Sequence, residues 1–268
     1  MDTPTIGVLG TGDFAAYFIA ALRNGGHTGH ILLSPHSPAK AARLAAERGC
    51  TVASDNIAML AESDWVLLAV RPEQLPSALP KLALRSGQVL LSAVAGLTVS
   101  ELRSAIGNDV PIIRIMPSSY IGVLQDGLLP IYPGCAEVEA VLGRAGHVLV
   151  FDNENHIELS MIGACLSGWM YRFIGSLETW FIERGLTPDQ ARQIVVGNII
   201  GAAGNALARR DISLEKVSDE IATPGTFTKL GLDYLRDKAS FRPWNEALTL
   251  VRDRLNTFER DRCTTSQS

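Results

Sequence analysis

The amino-acid sequence predicts an α/β fold in which a doubly wound, mostly parallel sheet is followed by an all-helical domain. Up to residue 152, apolar strand-like runs alternate with helical patterns, and continuous apolar strands between helices are typical of a parallel sheet covered on both faces. A glycine turn directly follows the first of these runs. Beyond Asp152, strand-like runs end and long helical patterns begin. We therefore expect two domains, residues 1–152 and 153–268.

Each element follows from its own pattern of apolar residues. Strands are expected at residues 5–9, 30–33, 51–52, 65–70, 89–92, 112–116, 127–133 and 148–151. The helices between them are expected directly after the glycine turn, at 39–48, at 57–61, from Pro72, at 99–106 and at 137–145. The second domain is expected to hold helices at 154–184, 188–209, 214–220 and 229–260. Residues 195–204 are small and apolar on nearly all sides, which indicates a helix buried at a subunit interface or inside one chain.

The run at residues 5–9 leads into Gly10-Thr11-Gly12-Asp13-Phe14-Ala15, a pattern typical of a strand, a tight turn and a helix start. Gly10 permits the sharp turn, Gly12 lets the backbone approach a pyrophosphate, and Ala15 is small enough for close helix–strand packing. The N–H groups and the dipole at the helix start then bind phosphates. We expect these six residues to bind a dinucleotide in a Rossmann domain. A structural glycine turn in another α/β fold is the alternative.

The segment after the second strand indicates which dinucleotide is bound. Residues 28–40 contain no Asp or Glu to accept hydrogen bonds from a ribose 2′-hydroxyl, and a 2′-phosphate would instead meet Ser34, His36, Ser37 and Lys40. NADPH is therefore favoured, with NADH still possible. The alternative is that Ser37 only caps the next helix, before Pro38, and both interpretations can hold together. Asp13 would repel phosphate unless its carboxylate points outward.

Composition excludes several other classes of protein. The chain has 268 residues, 47% of them hydrophobic and 19% charged, with a formal net charge of −4, which argues against a nucleic-acid partner. Apolar stretches are strand-length, and a core strand begins at the N-terminus, so we expect neither a membrane span nor a signal peptide. Cys50, Cys135, Cys165 and Cys263 lack the spacing of a metal site or a disulfide framework. We expect free thiols in a cytoplasmic protein without a metal.

Six segments, in the right order, resemble the pyrroline-5-carboxylate reductase family. The glycine turn is followed by Ala69-Val70-Arg71-Pro72, Ser92-Ala93-Val94-Ala95-Gly96, Arg114-Ile115-Met116-Pro117-Ser118-Ser119, Ser167-Gly168-Trp169-Met170-Tyr171 and Thr223-Pro224-Gly225-Thr226-Phe227-Thr228. These are similar to the family's Ala-Val-Lys-Pro, Ser-Ile-Ala-Ala-Gly, Arg-Val-Met-Pro-Asn-Thr, Ser-Gly-Pro-Ala-Tyr and Ser-Pro-Gly-Gly-Thr-Thr. The resemblance implies a Rossmann domain and a helical domain that interleaves with its partner, in a homodimer or a higher homo-oligomer.

The resemblance also implies a reaction: NADPH-dependent reduction of a cyclic imine that carries a carboxylate, with pyrroline-5-carboxylate, which becomes proline, as the leading substrate. Thr228 would bond the imine nitrogen and relay a proton. The carboxylate would be anchored by backbone N–H groups near two helix starts, around Ser167 and Gly168 and around Gly225, Thr226 and Phe227. Trp169 would lie in one of the loops that hold the substrate. Ser118 and Ser119 would lie where cofactor and substrate meet, and the cofactor would also be lined by Val70, Arg71, Pro72, Ala93 and Ala95.

Three departures from the family pattern bear on the substrate. Trp169 replaces proline, Thr226 replaces the second glycine, and Phe227 replaces a small residue or threonine, so a different imine is an alternative. A β-hydroxyacid-type dehydrogenase is a second alternative, although residues 153–183 lack the lysine that this chemistry usually needs. A non-catalytic NADP-binding protein is a third. Structural roles also stay open: Thr223 as a helix cap, Ser118 and Ser119 as loop hydroxyls, and the aromatic residues near Trp169 as core.

Overall fold

A computed structural model describes residues 3–78 and 82–265 of the chain. The chain forms two compact units. One extends to Ala164 and includes the end of the last helix, and the other comprises Cys165–Thr257. The domain boundary expected at residue 152 lies between the last strand and the first long helix, and it stays a prediction.

The first unit is built on an eight-stranded sheet in the order β3-β2-β1-β4-β5-β6-β7-β8. All neighbouring strands are parallel except β6 and β7, which confirms the mostly parallel sheet. The strands are β1 (Ile6–Leu9), β2 (Ile31–Leu33), β3 (Thr51–Val52), β4 (Trp65–Leu68), β5 (Val89–Ser92), β6 (Ile112–Ile115), β7 (Leu128–Tyr132) and β8 (His147–Val150).

Helices cover both faces of this sheet, and the alternation of side chains along each strand shows why. In β4, Trp65 and Leu67 belong to one buried cluster with Phe18 of the first helix, while Val66 and Leu68 belong to a second cluster on the opposite face. The strands are therefore apolar at consecutive positions. The helices of this unit are α1 (Asp13–Asn24), α2 (Pro38–Arg48), α3 (Asn56–Glu62), α4 (Leu75–Ala78), α5 (Val99–Ile106) and α6 (Ala136–Leu142).

The strand order places a crevice above β1. Its neighbours are β2 on one side and β4 on the other, so the chain leaves β1 and β4 in opposite directions across the sheet. In open α/β sheets, ligands bind at such a switch point, outside the carboxyl ends of the strands. The β1–α1 turn that carries Gly10 and Gly12 lies at this position.

The remaining helices are α7 (Glu154–Ile182), α8 (Pro188–Ala208), α9 (Leu214–Ile221), α10 (Phe227–Asp237) and α11 (Arg242–Thr265). The single helix expected at 229–260 is wrong, because the chain turns between α10 and α11, with Ala239 at φ +50°. Pro243 explains the break, since in a continuous helix its ring would clash with the carbonyl of Ala239, four residues earlier. The last helix, α11, continues to Thr265, and residues 266–268 lie outside the described part.

Most of the small-residue stretch of α8 is exposed within the single chain, although Val195 at its start is buried. Ile200 is 65% exposed, and a Cβ added at Gly197, Gly201 or Gly204 would meet no atom within 4 Å. Close packing inside the described part of one chain therefore does not account for the glycines at positions 197, 201 and 204. None of the helices that the structure describes has both the length and the apolarity needed to cross a bilayer.

His27, between α1 and β2, is buried, and neither ring nitrogen has a hydrogen-bond partner among residues 3–78 and 82–265. The residue is 7% exposed, while its backbone N–H donates to the Leu22 carbonyl at 2.9 Å and its carbonyl accepts from Arg23 Nη1 at 2.8 Å. Burial, together with the nearby Arg23 guanidinium, lowers the pKa of His27 to about 4. The neutral imidazole is thus the form that the fold accommodates.

This geometry predicts an acid-sensitive contribution to stability. The pKa of His27 lies near 6.5 in the unfolded chain and near 4 in the folded protein, so the unfolded state takes up the proton first as the pH falls. The contribution of neutral His27 to stability is complete above pH 6.5 and is lost as the pH falls from 6.5 towards 4. We expect His27→Leu to remove about 3 kcal/mol of the drop in unfolding free energy between pH 7 and pH 4.

Urea titrations of the native protein and of this variant at both pH values measure the difference. An equal drop in the two proteins would contradict the assignment.

Candidate cofactor site

The β1–α1 turn requires glycine at its first position. Gly10 has φ +104°, a conformation that side chains rarely adopt, and a Cβ there would lie 2.4 Å from the Ala69 carbonyl oxygen after β4. The turn therefore approaches the next strand at a distance that only a hydrogen permits. The need for glycine at this position comes from the fold itself.

Gly12 differs from Gly10 in its surroundings. It caps the N-terminus of α1 with φ −83°, which any residue can adopt, and a Cβ there would meet no atom within 4 Å. The protein's own packing therefore does not require glycine at position 12. The first turn of α1 presents backbone N–H groups that have no acceptor within the helix, so an anion can approach them closely at this point.

A cleft of about 640 Å³ opens over this turn. It gathers predicted cofactor residues from three loops, namely Gly10, Thr11, Gly12, Asp13, Phe14, Ser34, His36, Ser37, Lys40, Val70 and Arg71. Leu9, Asn56, Ala69, Gln74, Ser77 and Ala78 complete the lining. A cavity of this size is within the range of cofactor sites.

Three other residues predicted for the cofactor lie elsewhere. Ala15, on the buried side of α1, is completely buried in the core, which agrees with its expected packing role, but it is not among the residues that line the cleft. Ala93 and Ala95 are half-buried in the loop after β5, also outside the described lining. The side chain of Pro72 lies outside the described part of the structure.

One end of the cleft is organised by Ser34 and Asn56. Ser34 is 3% exposed, and its hydroxyl donates to Asn56 Oδ1 at 2.8 Å. The sequence pattern did not predict Asn56 as a residue of the cleft. It is the first residue of α3, and the pairing of β2 with β3 brings it near Ser34, a proximity that the sequence pattern does not contain. The preceding residue, Asp55, accepts the Ala58 N–H at 2.8 Å and so serves as a helix cap.

Charged and polar groups in the lining of the cleft suit a phosphate. Ser37 is the N-cap residue of α2 but makes no side-chain cap hydrogen bond, so capping alone does not account for its hydroxyl. Lys40 and Arg71 are exposed cations in the lining, and Asp13, also exposed, is the one carboxylate among the described lining residues. The backbone N–H of Arg71 donates to Gln74 Oε1 at 3.1 Å, which fixes the turn after β4. The lining thus carries more positive than negative groups.

Ser118 and Ser119 follow β6, at the same edge of the sheet. Ser118 is 7% exposed, its backbone N–H lies 3.4 Å from the Leu128 carbonyl, and its own carbonyl accepts from Ile121 at 3.0 Å. Ser119 is exposed in the one-turn 3-10 helix that follows. Neither residue is among those described as lining the cleft. Their expected place near the substrate stays a prediction.

The helix start expected at Ser167 and Gly168 is wrong. Both residues lie inside α7, which runs unbroken from Glu154 to Ile182, so their backbone N–H groups belong to the helical hydrogen-bond ladder and cannot anchor a carboxylate. Trp169 lies on the same helix with its ring 6.3 Å from that of Trp244, and the Phe173 ring is 5.8 Å from Trp244. Packing between α7 and α11 therefore explains part of the aromatic run.

The helix start expected after Gly225 is present, with a different cap. Gly225 has φ +86°, and the Thr226 hydroxyl accepts the Lys229 N–H at 3.2 Å while donating to the Thr223 carbonyl at 2.7 Å. Thr226, rather than Thr223, is thus the cap of α10. Phe227 is 94% exposed, and Thr228 is exposed in the first turn. The roles of these residues in binding substrate stay predictions.

Comparisons with known proteins bear on both halves of the chain. Residues 5–96 match the family model described as NADP oxidoreductase coenzyme F420-dependent, and residues 154–255 match the one described as pyrroline-5-carboxylate reductase dimerisation. The pyrroline-5-carboxylate reductase of Pseudomonas aeruginosa is 24% identical, over 87% of this chain and 88% of that protein. Pyrroline-5-carboxylate reductase 3 of Xenopus laevis is 28% identical, over 86% of this chain and 87% of that protein.

Solved structures show the same fold. The 1-pyrroline-5-carboxylate reductase of Streptococcus pyogenes has a TM-score of 0.83 at 21% identity, and the alignment covers 95% of this chain and 98% of that one. The pyrroline carboxylate reductase of Plasmodium falciparum, solved with NADP bound, also has a TM-score of 0.83, at 18% identity, with 97% and 99% covered. A reductive aminase from Aspergillus terreus, in complex with NADPH and ethyl-5-oxohexanoate, is more distant, with a TM-score of 0.55 over 97% of this chain and 95% of that one, at 20% identity.

The two glycines of the turn should respond differently to the same substitution. We expect Gly10→Ala to lower the unfolding free energy by about 2–4 kcal/mol, because it combines backbone strain with a clash against the Ala69 carbonyl. Gly12→Ala is the matched control and should change it by less than about 1 kcal/mol. Denaturant titrations measure both values, and equal losses would contradict this division of roles.

Proposed function

Because the chain belongs to the pyrroline-5-carboxylate reductase family, we propose that it uses NADPH to reduce the C=N bond of a cyclic imino acid. Pyrroline-5-carboxylate is the leading substrate and proline the corresponding product. The proposal is carried by one observation: the cleft over the β1–α1 turn gathers the glycine turn, the segment after β2 and the turn after β4 around one space. Together these loops supply what a dinucleotide needs, which is a helix N-terminus, hydroxyls and cations.

The residues suit two parts of NADPH, the pyrophosphate and the 2′-phosphate. A Cβ at Gly12, in the first turn of α1, would meet no atom within 4 Å, and this open space would leave room for the pyrophosphate. At the other end of the cleft, Ser34, Ser37, His36 and Lys40 would hold the 2′-phosphate. Asp13 is exposed at the helix start, where its negative carboxylate interacts favourably with the positive end of the α1 dipole.

The chemistry requires a hydride and a proton. When bound, NADPH supplies the hydride to the imine carbon. The chain has to orient the imine and deliver the proton to its nitrogen, and orientation accounts for much of the acceleration in such reactions. We assign the proton relay to Thr228, whose exposed hydroxyl lies in the first turn of α10. The carboxylate would be held by the N–H groups of that same turn, next to Gly225.

We further propose that the active form is a homodimer or a higher oligomer formed by residues 153–268. Support comes from the match of residues 154–255 to a dimerisation model and from the apolar surface that the single chain leaves exposed, such as Ile200 at 65% and Leu230 at 71%. A cytoplasmic location stays a prediction. The β-hydroxyacid alternative has no support from α7, which contains no lysine.

Exchange of Lys40 tests the cofactor assignment. We expect Lys40→Ala to raise the dissociation constant of NADPH about tenfold, through the loss of a charge-assisted contact to the 2′-phosphate, and to leave that of NADH unchanged. Arg43→Ala is the matched control, since Arg43 lies on the same helix, pairs with Glu47 and is not in the described lining. Fluorescence titration with both nucleotides gives the constants, and equal losses for NADPH and NADH would contradict the assignment.

Exchange of Thr228 tests the reaction. With pyrroline-5-carboxylate as substrate, Thr228→Ala should lower kcat roughly 100-fold without changing the NADPH dissociation constant, because a general-acid contribution of this order is lost. Thr228→Ser keeps the hydroxyl and should retain most of the activity. NADPH absorbance at 340 nm follows turnover, in which about one nicotinamide is oxidised per imine reduced.

NADPH binding without oxidation by any imine would favour the non-catalytic alternative. Oxidation with another imine, but not with pyrroline-5-carboxylate, would keep the reductase and change its substrate.

A further inference from the structure

A buried arginine joins the sheet to the start of the longest helix. Arg114, on β6, is 1% exposed, and its register partner on β5 is Ser92. Its guanidinium donates to Glu154 Oε1 at 3.1 Å and also to Glu158, both on the first turns of α7. A buried cation is tolerated only when it is paired in this way. The pairing therefore fixes where α7 begins relative to the central strands.

Glu154 makes a second contact that Glu158 does not. The same Oε1 atom accepts the backbone N–H of Val99 at 2.8 Å. Val99 is the first residue of α5, immediately after the loop of residues 93–98. One carboxylate oxygen thus connects three segments: the end of the β5–α5 loop, the carboxyl half of β6 and the first turn of α7.

The connected loop is held at both ends. At its start, the Ala93 N–H donates to the Leu68 carbonyl at 2.9 Å, and Val94 is 1% exposed. At its end, Thr98 and Glu101 form a reciprocal capping box, and Val99 donates to Glu154. Between these ends, Gly96 adopts φ +62°. Ala93 and Ala95 belong to this loop, and β6 leads directly towards Ser118.

We infer that Glu154 is a positioning residue. Through its contact with Val99 it holds the β5–α5 loop in the position that binding of the nicotinamide half of the cofactor requires. This inference rests on the proposed function, because it concerns the same NADPH site. The described hydrogen bonds and ion pairs of Glu154 involve Val99 and Arg114, and neither residue lines the cleft over Gly12, so the adenosine half of the cofactor should not depend on Glu154. Loss of the Val99 contact should therefore weaken the binding of the nicotinamide half of NADPH, which involves the β5–α5 loop, and leave the binding of the adenosine half unchanged.

The Val99 contact can be removed without disturbing the ion pairs. Val99→Pro deletes the N–H group, and proline is favoured at the first position of a helix. Thr98 already has φ −73° and ψ 159°, the extended conformation that a following proline imposes. Glu154→Ala removes both contacts, and Glu154→Gln keeps an oxygen for the Val99 N–H. Glu158→Ala is the control that disturbs Arg114 without touching the loop.

The readout compares NADPH with adenosine 2′,5′-bisphosphate, which contains only the adenosine half. We expect Val99→Pro and Glu154→Ala to weaken NADPH binding at least fivefold and bisphosphate binding less than twofold, with a matching fall in kcat. Glu154→Gln should restore most of the NADPH affinity. Glu158→Ala should lower the melting temperature but leave the ratio of the two affinities unchanged, an outcome that a merely structural role of Glu154 would not produce.

Two results would overturn the inference while the proposed function stands: an unchanged affinity ratio in Val99→Pro, or an equal change in Glu158→Ala. Val99→Pro decides the question even if Glu154→Ala does not fold. Failure of the folded native protein to bind NADPH would instead overturn the proposed function, and the inference with it.

Discussion

The burial of one sheet on both faces is the constraint on which the rest of the first unit depends. Strands such as β4 are apolar at consecutive positions, with Trp65 directed to one core and Val66 to the other. Polar chemistry is therefore confined to the ends of the strands, where loops can carry glycine, hydroxyl and charged residues. Arg114 is the exception, a cation within a strand, and it is accommodated by two carboxylates from α7.

Features with a strong local signal could be predicted from the sequence. The alternation of apolar runs gave the order of strands and helices in the first unit, and the glycine turn located the cleft. Asn56 was missed because its proximity to Ser34 arises from strand pairing, which no local pattern encodes. The break before α11 was missed because helical periodicity continues across it, although Pro243 marks it. At Ser167, a family-like segment was mistaken for a helix start that the continuous α7 does not have.

The two units differ in how much of their apolar surface a single chain buries. In the first, the apolar side chains of the strands and of α1 are buried, and the cleft is bounded on several sides. In the second, α10 buries none of its residues, and Phe227 stands 94% exposed beside Thr228. A helix with so much exposed apolar surface gains most of its stability from packing against further protein. The second unit is thus less completely specified by one chain than the first.

The contrast between Gly10 and Gly12 has an evolutionary consequence. Selection for folding alone would retain glycine at position 10, where the Ala69 carbonyl leaves room only for hydrogen, but would tolerate a larger residue at position 12. In a lineage that had ceased to bind the nucleotide, position 12 would drift while position 10 stayed fixed. This chain has glycine at both positions, so its position 12 has not drifted in that way.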